Sequence, residues 1–393
     1  MNRAIFGEDI PMAEHLFSRI KRFFSQADLL LLALCVGASL FGILLIASAT
    51  HYTGSLRYVA VQSVALVLGI GLYAFFSFVD VEEASEKWKW IFVFNVGFIL
   101  LLLTPLGISA GGNRAWLSIP GFPMDIQPAE IVKVTFIILL AKQLAYYQER
   151  DLSSVTSVAF YGGHFLFMVG LLYVVSGDAG SCLVYAVIFI FMTFAAGVKL
   201  RWFVLGGGGL AAALVLAWNT GLFPGYMRRR IEVILDHSLY PMNEGWHQGR
   251  SLIAFGSGGW FGQGLFNGTQ TQQSSKSSLP ARHTDFIFSV AGEELGYIGC
   301  IAIIAILVAI IVRCLVVARR AKTPMGSLIC VGVAAMLSFQ MIENIGMCIF
   351  VMPVIGLTLP FFSYGGSSLL TVFAAMGIVS GIKVRSLPEW LRD

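Results

Sequence analysis

The sequence predicts an all-α integral membrane protein with about ten transmembrane helices. Three observations carry that expectation. Of the 393 residues, 57% are hydrophobic and only 12% are charged, with mean hydropathy +0.79; a soluble domain carries about 25% charged residues. Apolar runs near the spanning length of about 20 residues recur along the chain. The 31 Phe and 42 Gly suit helices packed in lipid.

Apolar runs begin near Leu29, Val59, Trp90, Ile126, Val158, Cys182, Trp202, Phe286, Gly326 and Ser367. The sixth is the shortest, because Lys199 and Arg201 interrupt it. Residues 28–385 make up this polytopic domain. Residues 1–27, with Arg3, Arg19, Lys21 and Arg22, are basic and amphipathic and read as a cytoplasmic tail, with 386–393 as a second one. The stretch Glu343–Phe362 is apolar but carries Pro353, Gly356 and Pro360, so it reads as a broken or re-entrant segment. Such a segment is tolerable only where protein buries it. The six cysteines are scattered without metal spacing and read as small hydrophobes.

An even helix count puts both termini on one side. One set of short connections then holds Lys87/Lys89, Arg150, Lys199/Arg201, Arg313/Arg319/Arg320/Lys322 and Lys383/Arg385, while the other holds Arg57 and Arg114. The positive-inside bias makes the first set cytoplasmic. The opposite face receives the Gly- and Pro-rich stretch Ser109–Gln127, the turn Ser176–Ser181, and a long connection, 221–285, between helices seven and eight. A connection of that length is usually functional.

Charges beside apolar runs are candidate functional groups. In Gly111-Gly-Asn-Arg-Ala-Trp-Leu117, Arg114 and Trp116 face the outer interface, where Trp116 equally suits a membrane belt. In Gln127-Pro-Ala-Glu-Ile-Val-Lys133, Pro128 suits a first helical turn, and Glu130 and Lys133 share one helix face. They are either a self-satisfied ion pair or a functional one. Asp178 lies in Ser176-Gly-Asp-Ala-Gly-Ser181, where a turn former is the simpler reading. The basic residues Arg228, Arg229, Arg230, Arg250, Lys276 and Arg282 of the long connection, set against Glu232, Asp236 and Glu244, would attract an anion such as a phosphate or merely be solvated. Arg282, His283 and Asp285 crowd into four residues, and Asp285 is expected to open a helix either as a cap or as a reactive carboxylate. Glu293 and Glu294, about two turns deeper, need partners. Gln340, Glu343 and Asn344 suit interhelical hydrogen bonding.

Taken together these segments resemble one family. Pro353-x-x-Gly356 with Leu359-Pro-Phe-Phe-Ser-Tyr-Gly-Gly-Ser-Ser368 resembles the signature of the SEDS proteins (shape, elongation, division and sporulation). Leu279-Pro, His283-Thr-Asp-Phe-Ile-Phe288 and Glu293-Glu294-x-Gly296 make a second signature. Arg114-x-Trp116 with Gln127-Pro-x-Glu130-x-x-Lys133 makes a third, and Ser251-Leu-Ile-Ala-x-Gly-Ser-Gly-Gly259 with Gly268-Thr-Gln270 a fourth. The Arg282-His283 pair is more similar to the RodA branch. The chain departs from the usual pattern at Ala115, Gly177, Gln263 and Ala281.

The resemblance implies a ten-helix SEDS fold and a peptidoglycan glycosyltransferase that polymerises lipid II at the outer face of the bacterial cytoplasmic membrane, for elongation or division. It implies a membrane-anchored penicillin-binding transpeptidase and other elongation or division proteins as partners, and no nucleic acid. It also implies that Asp285 is the essential carboxylate. Asp285 is then the general base, and Arg114 and Lys133 contact the donor pyrophosphate, with Glu130 orienting Lys133. Trp116, Asp178, Arg282 and His283 complete the substrate site. A divalent cation, Mg or Mn, beside Asp285 fits the chemistry, although no ligand spacing calls for one. The rival readings are a lipid-linked precursor flippase, which wants its charges near the bilayer midplane, and a catalytically silent scaffold for the transpeptidase.

The charge pattern makes the topology testable. A cysteine introduced at Ser274 is expected to react with a membrane-impermeant maleimide added to intact cells, and one at Thr323 is expected to be spared. The reverse pattern would invert the assignment of the two faces.

Overall fold

The computed structural model describes residues 27–387 apart from 111–112, 122–123, 222–224, 238, 240–244 and 274–277. The expected terminal tails, except Ala27, Ser386 and Leu387, lie outside the described residues, as does Lys276. The helices are α1 (Leu29–Thr50), α2 (Arg57–Phe78), α3 (Val81–Ser85), α4 (Trp88–Leu100), α5 (Pro128–Gln148), α6 (Val155–Ser176), α7 (Ala179–Ala196) and α8 (Leu200–Thr220). They continue as α9 (Gly225–Leu235), α10 (Trp246–Gly258), α11 (Thr269–Gln272), α12 (Ile287–Glu294), α13 (Gly296–Arg320), α14 (Pro324–Cys348) and α15 (Gly366–Ser386).

Among the described residues, eight helices are long and apolar enough to cross a membrane: α1, α2, α6, α7, α8, α13, α14 and α15. The shorter apolar α4 and the 21-residue α5, which carries Glu130, Lys133 and Lys142, bring the bundle to the expected ten. Local chemistry sets the ends. Asp28, Ser154, Asp178 and Thr323 cap α1, α6, α7 and α14 by accepting amide hydrogen bonds from the first turn. Pro128 and Pro324 occupy first-turn positions, where a missing N–H costs nothing.

The helices α5, α14 and α15 form the centre. α14 packs between α7, α13 and α5, and α15 lies along α2. Within their most apolar windows α14 and α15 are 67% and 72% buried, against 17% for α6 and none for α8, which is exposed along its length. Helices on the periphery therefore spend their apolar surface on lipid. The two ends of the bundle differ. One gathers Asp28, Arg313 and Lys383, with Lys142 bonded to Ser85 and Glu86. The other gathers Arg114, Asp178 and the 278–286 turn.

Three features depart from the sequence reading. The apolar run from Phe286 is not one helix. It breaks at Leu295, and α13 starts at Gly296 with φ +69°. The Gly-rich piece after α10 wedges into the break: the Gln263 and Gly264 amides donate to the Glu293 and Glu294 carbonyls at 2.9 Å, and the Tyr297 amide donates to Gly259 O at 3.0 Å. These bonds satisfy groups that the interrupted helix leaves open. Secondly, the fold is all-α except for one antiparallel hairpin, β1 (Gly107–Ala110) and β2 (Asn113–Leu117), which pairs Ile108 with Trp116. The Gly111-Gly112 dipeptide between the strands is a hairpin signal that a reading on Gly and Pro content alone passes over. Thirdly, the broken segment starts later than Glu343. α14 runs to Cys348, and the irregular chain beyond it has positive φ at Phe350, Gly356 and Phe361. Leu357, Leu359, Phe361, Phe362 and Ser363 are buried there, as the lipid environment requires of non-helical backbone.

A Cβ on Gly296 would stand 2.5 Å from both Gly262 N and Trp260 O, in a left-handed conformation. Gly296→Ala is therefore expected to lose at least about 1–3 kcal/mol from backbone strain alone. Gly162→Ala, in the middle of α6 with nothing within 4 Å, is expected to gain about 0.5–1 kcal/mol. Thermal unfolding of the two variants in detergent checks the contrast.

Candidate functional site

The turn that carries Asp285 is held through its backbone. Ala281 adopts φ +43°, and its carbonyl accepts from the Thr284 and Phe286 amides at 3.1 Å, closing the turn. The next carbonyls are bound one after another. His283 O accepts from Tyr364 N at 2.8 Å, Thr284 O from Ser363 Oγ at 2.6 Å, and Asp285 O from Asn344 Nδ2 at 2.8 Å. Asn344 also donates to Leu357 O at 2.8 Å, and Gln62 of α2 donates to Ser363 O at 3.2 Å. Asp285 is thus registered against α14, the 349–365 segment and α2. It does not cap α12, whose N-cap is Phe286 and lacks a side-chain bond. Its carboxylate lies against Gly356, with Oδ2 only 3.6 Å from where a Cβ would stand.

Glu293 and Glu294 find their partners in the long connection. Both are fully buried. Glu293 accepts from Thr269 Oγ1 (3.0 Å), Gln270 N (2.6 Å), Thr271 N (2.8 Å) and Thr271 Oγ1 (2.6 Å). Glu294 accepts from Ser48 Oγ (2.5 Å), Gly268 N (3.3 Å) and Gln272 Nε2 (2.8 Å). Arg282 completes this scaffold. It is buried, its guanidinium donates to the Thr271 carbonyl and to Gln273 O (2.9 Å), and it stacks over Tyr52 at 3.9 Å. His283 sits between Tyr58 (ring centroids 4.8 Å apart) and Tyr364 (5.7 Å). Burial, reinforced by Arg282, pushes its pKa down, so the imidazole is neutral at pH 7.

Across the crevice, Asp178 caps α7 by accepting from Ser181 N (3.0 Å) and Oγ (2.6 Å), and it also accepts from Gln127 Nε2 at 3.1 Å. The turn it closes touches both neighbours: Gly177 lies against Asn113 of β2, and Gly180 against the Ile355 carbonyl. The hairpin and the 353–357 segment are therefore joined through Asp178's turn. On the hairpin, Trp116 is half-buried. Arg114 Nη2 donates to Thr104 O at 2.9 Å, and its buried Nε has no hydrogen-bond partner.

Glu130 and Lys133 stand apart from this group. Lys133 Nζ lies 2.7 Å from Glu130 Oε1, with the side chains 2% and 6% exposed, so the pair is closed inside the bundle. Beside it, α2, α5 and α15 enclose an apolar groove of about 270 Å³ lined by Leu72, Phe76, Val134, Ile138 and Leu370. Its end toward the site is formed by Met124, Ile126 and Ser367, and Ser367 Oγ accepts from Gln127 N at 3.3 Å.

Asp285 is surrounded by protein on nearly every side yet keeps access to solvent as a half-buried residue. Burial pushes its pKa from 3.8 up to about 6, against a smaller opposing effect of the Thr284 hydroxyl. No cluster of three or more metal-ligating side chains occurs among the described residues. Glu343, 1% exposed, is a second carboxylate within electrostatic reach of Asp285; neither oxygen makes a hydrogen bond of ordinary geometry among the described residues, although the Ile355 amide approaches it. Asn344 Oδ1 is likewise buried and unpartnered. Of the expected site residues, Arg282, His283 and Asp285 are brought together; Asp178's turn touches the 353–357 segment against which Asp285 lies and, through Gly177, the hairpin that carries Arg114 and Trp116, while Glu130 and Lys133 are internal. Sequence reasoning missed Tyr52 and Tyr58, which it did not single out, and the positioning role of Ser363.

The profile of the FtsW/RodA/SpoVE cell cycle proteins matches residues 26–387. The chain is 33% identical over 371 residues to the probable peptidoglycan glycosyltransferase FtsW of Geobacter sulfurreducens, covering 91% of this chain and 95% of that one. It is 34% identical over 288 residues to the peptidoglycan glycosyltransferase MrdB of Escherichia coli, covering 72% and 74%. Among solved structures, it is similar to a chain from a peptidoglycan synthase complex that coordinates polymerization and crosslinking (TM-score 0.77, 28% identity, 92% and 98% covered). It is also similar to the rod shape determining protein RodA of Thermus thermophilus (TM-score 0.66, 27% identity, 91% and 96% covered).

The closed geometry of Glu130 and Lys133 gives a direct test. Lys133→Met strands a buried carboxylate and is expected to cost about 3–5 kcal/mol, seen as lost expression or a lowered Tm. The double variant Glu130→Gln/Lys133→Met is expected to recover most of it. A stable Lys133→Met protein would mean that the pair is not what holds this part of α5.

Proposed function

The chain belongs to the FtsW/RodA/SpoVE family of cell cycle proteins, and we infer from that membership that it is a peptidoglycan glycosyltransferase polymerising lipid II into glycan strands. The observation that carries the assignment to a site is Asp285: a half-buried carboxylate with its pKa raised to about 6, on a turn whose carbonyls are bound in succession. A general base works best with its pKa near the operating pH and its position fixed. The 4-hydroxyl of the acceptor sugar attacks the anomeric carbon of the donor. Its proton passes to a carboxylate oxygen of Asp285 as the new C–O bond forms. The old C–O bond breaks, and its electron pair leaves with the pyrophosphate.

The leaving group is acidic and needs positive charge more than a proton donor. Arg114 is suited to that contact through its guanidinium, which makes one hydrogen bond among the described residues, from Nη2 to Thr104 O. Lys133 is less suited, because it is spent on Glu130. Trp116, Asp178 and His283 shape the crevice for the sugars, and Arg282 acts through the turn it holds. A divalent cation, Mg or Mn, would find hard oxygen ligands in Asp285 and Glu343, whose unpartnered buried oxygens suit one. It would supply further charge to the pyrophosphate. The groove between α2, α5 and α15 suits the lipid's hydrocarbon chain.

The basic end of the bundle faces the cytoplasm on this reading, and the Asp285 crevice opens at the outer face of the bacterial cytoplasmic membrane. The similarity to a chain from a synthase complex that polymerises and crosslinks supports a membrane-anchored penicillin-binding transpeptidase as partner. The charged crevice lies at one end of the bundle rather than at its midplane, which argues against a transporter.

Asp285→Asn is expected to lower lipid II polymerisation by about a hundred- to ten-thousand-fold with the Tm unchanged. Turnover within a few-fold of the parent protein would leave the scaffold reading. The pH dependence follows from the raised pKa. The ionised carboxylate is the active form, so the rate is expected to be full above about pH 7 and to fall about tenfold per unit below about pH 6. A limb near pH 4, the range of an ordinary Asp, would contradict the burial of Asp285.

A further inference from the structure

The basic end of the bundle carries a pocket that the glycosyltransferase reading does not use. Behind two of its lining residues, Arg313 and Lys383, stands Asp28, whose side chain is 1% exposed. Arg313 donates to Asp28 through Nε at 2.7 Å and Nη2 at 3.1 Å, and Lys383 Nζ stands 3.5 Å away. The Asp28 amide donates to Ser380 Oγ at 3.0 Å, and Tyr73 Oη donates to Asp28 O at 2.7 Å. One carboxylate therefore ties the start of α1 to the ends of α13 and α15, and the side chains around it are fixed in place.

Outside this clamp, Arg313 and Arg320 of α13, with Val316 and Val317, face Lys383, Ser386 and Leu387 across a pocket of about 110 Å³. Three cations line it, and two of them share the single carboxylate of Asp28. Arg320 is exposed and has neither a hydrogen bond nor an ion pair among the described residues. Lys322 adds a fourth cation at the rim, where it donates to Leu387 O at 3.3 Å. The positive-inside bias explains basic residues at helix ends, but not their convergence from two helices on one concavity with an apolar side. Both helices end here, so their backbone dipoles do not attract an anion; the side chains must.

We propose that this pocket binds a phosphate-bearing anion, the headgroup phosphate of an anionic phospholipid in the leaflet on the basic side. Arg320 and Lys383 take the phosphate oxygens, since Arg313 is already committed to Asp28. Val316, Val317 and Leu387 lie against the glycerol and the first methylenes, which favours a lipid over free phosphate. Basic pockets between helices on that side of a membrane are the usual headgroup sites.

The test uses the full-length protein in nanodiscs or detergent, with binding read by native mass spectrometry and by the rise in Tm. The probes are phosphatidylglycerol, phosphatidylcholine and inorganic phosphate. Phosphatidylglycerol is expected to bind more tightly than phosphatidylcholine. Arg320→Gln and Lys383→Gln are each expected to weaken that binding about fivefold, the equivalent of about 1 kcal/mol per basic residue. Lys87→Gln/Lys89→Gln, on the same face but outside the pocket, is expected to leave it unchanged. Because Arg320 has no partner to lose, its variant stays informative even if the Lys383 variant folds poorly. If inorganic phosphate alone reproduces the effect and its loss in the Arg320 variant, the phosphate site stands and its source is the free ion. Equal binding of both lipids without phosphate binding, or phosphatidylglycerol binding unchanged by Arg320→Gln, overturns the proposal.

Discussion

A carboxylate buried in a membrane bundle must find donors or lose several kcal/mol. Glu293 and Glu294 meet this demand side by side, and much of the site follows from how they do so. Their donors come from the Gly268–Gln272 segment and from Ser48 of α1, so the long connection is drawn down onto the bundle. That fixes the carbonyls of Thr271 and Gln273, which in turn receive the guanidinium of Arg282. Arg282 opens the turn that presents Asp285. Two fully buried carboxylates thus bear on the position of the candidate base through α11 and one arginine. The break before Gly296 serves the same end, because it frees the Glu293 and Glu294 carbonyls for the Gly-rich segment beside them.

The distribution of charge separates two tasks. The central helices can carry polar groups because protein surrounds them, as with the buried Glu130–Lys133 pair in α5, whose Glu130 Oε2 has no hydrogen-bond partner among the described residues. The crevice is different. Asp285 is desolvated enough to have its pKa raised but remains reachable, the combination that a base acting on a sugar hydroxyl needs. The apolar groove beside α5 ends at Ser367, which is bonded to Gln127 and through it to Asp178, so a polar candidate site and a hydrocarbon-lined groove meet at one end of the bundle. A substrate that is half sugar and half lipid calls for that junction.

The ten helices were legible because bilayer thickness fixes the length of an apolar run, and that signal does not depend on packing. The break at Leu295 was not, since the residues on both sides are apolar and the wedge comes from a segment about thirty residues earlier. At the candidate site, the crowding of Arg282, His283 and Asp285 drew attention to a turn that the bundle pins through its backbone, and the need of Glu293 and Glu294 for partners was plain from their depth. Which residues would satisfy them was not, because Thr269, Thr271 and Ser48 are unremarkable in sequence. Arg282 looked like a ligand for an anion and is instead bound to backbone carbonyls. Asp285 looked like a helix cap and is not one, because α12 begins one residue later than the motif suggests.

The pinning of the Asp285 turn has a consequence for how such a chain can drift over generations. The bonds from Tyr364, Ser363 and Asn344 use the carbonyl oxygens of residues 283–285, which every amino acid possesses. These three bonds are therefore indifferent to the side chains at 283–285, and substitutions at 283 or 284 can retune the neighbourhood of the carboxylate without removing them. Ser363 and Asn344 have no such freedom, since they contribute the side-chain donors. Heritable variation should thus be tolerated on the residues nearest the reaction and resisted on the distant residues that hold them.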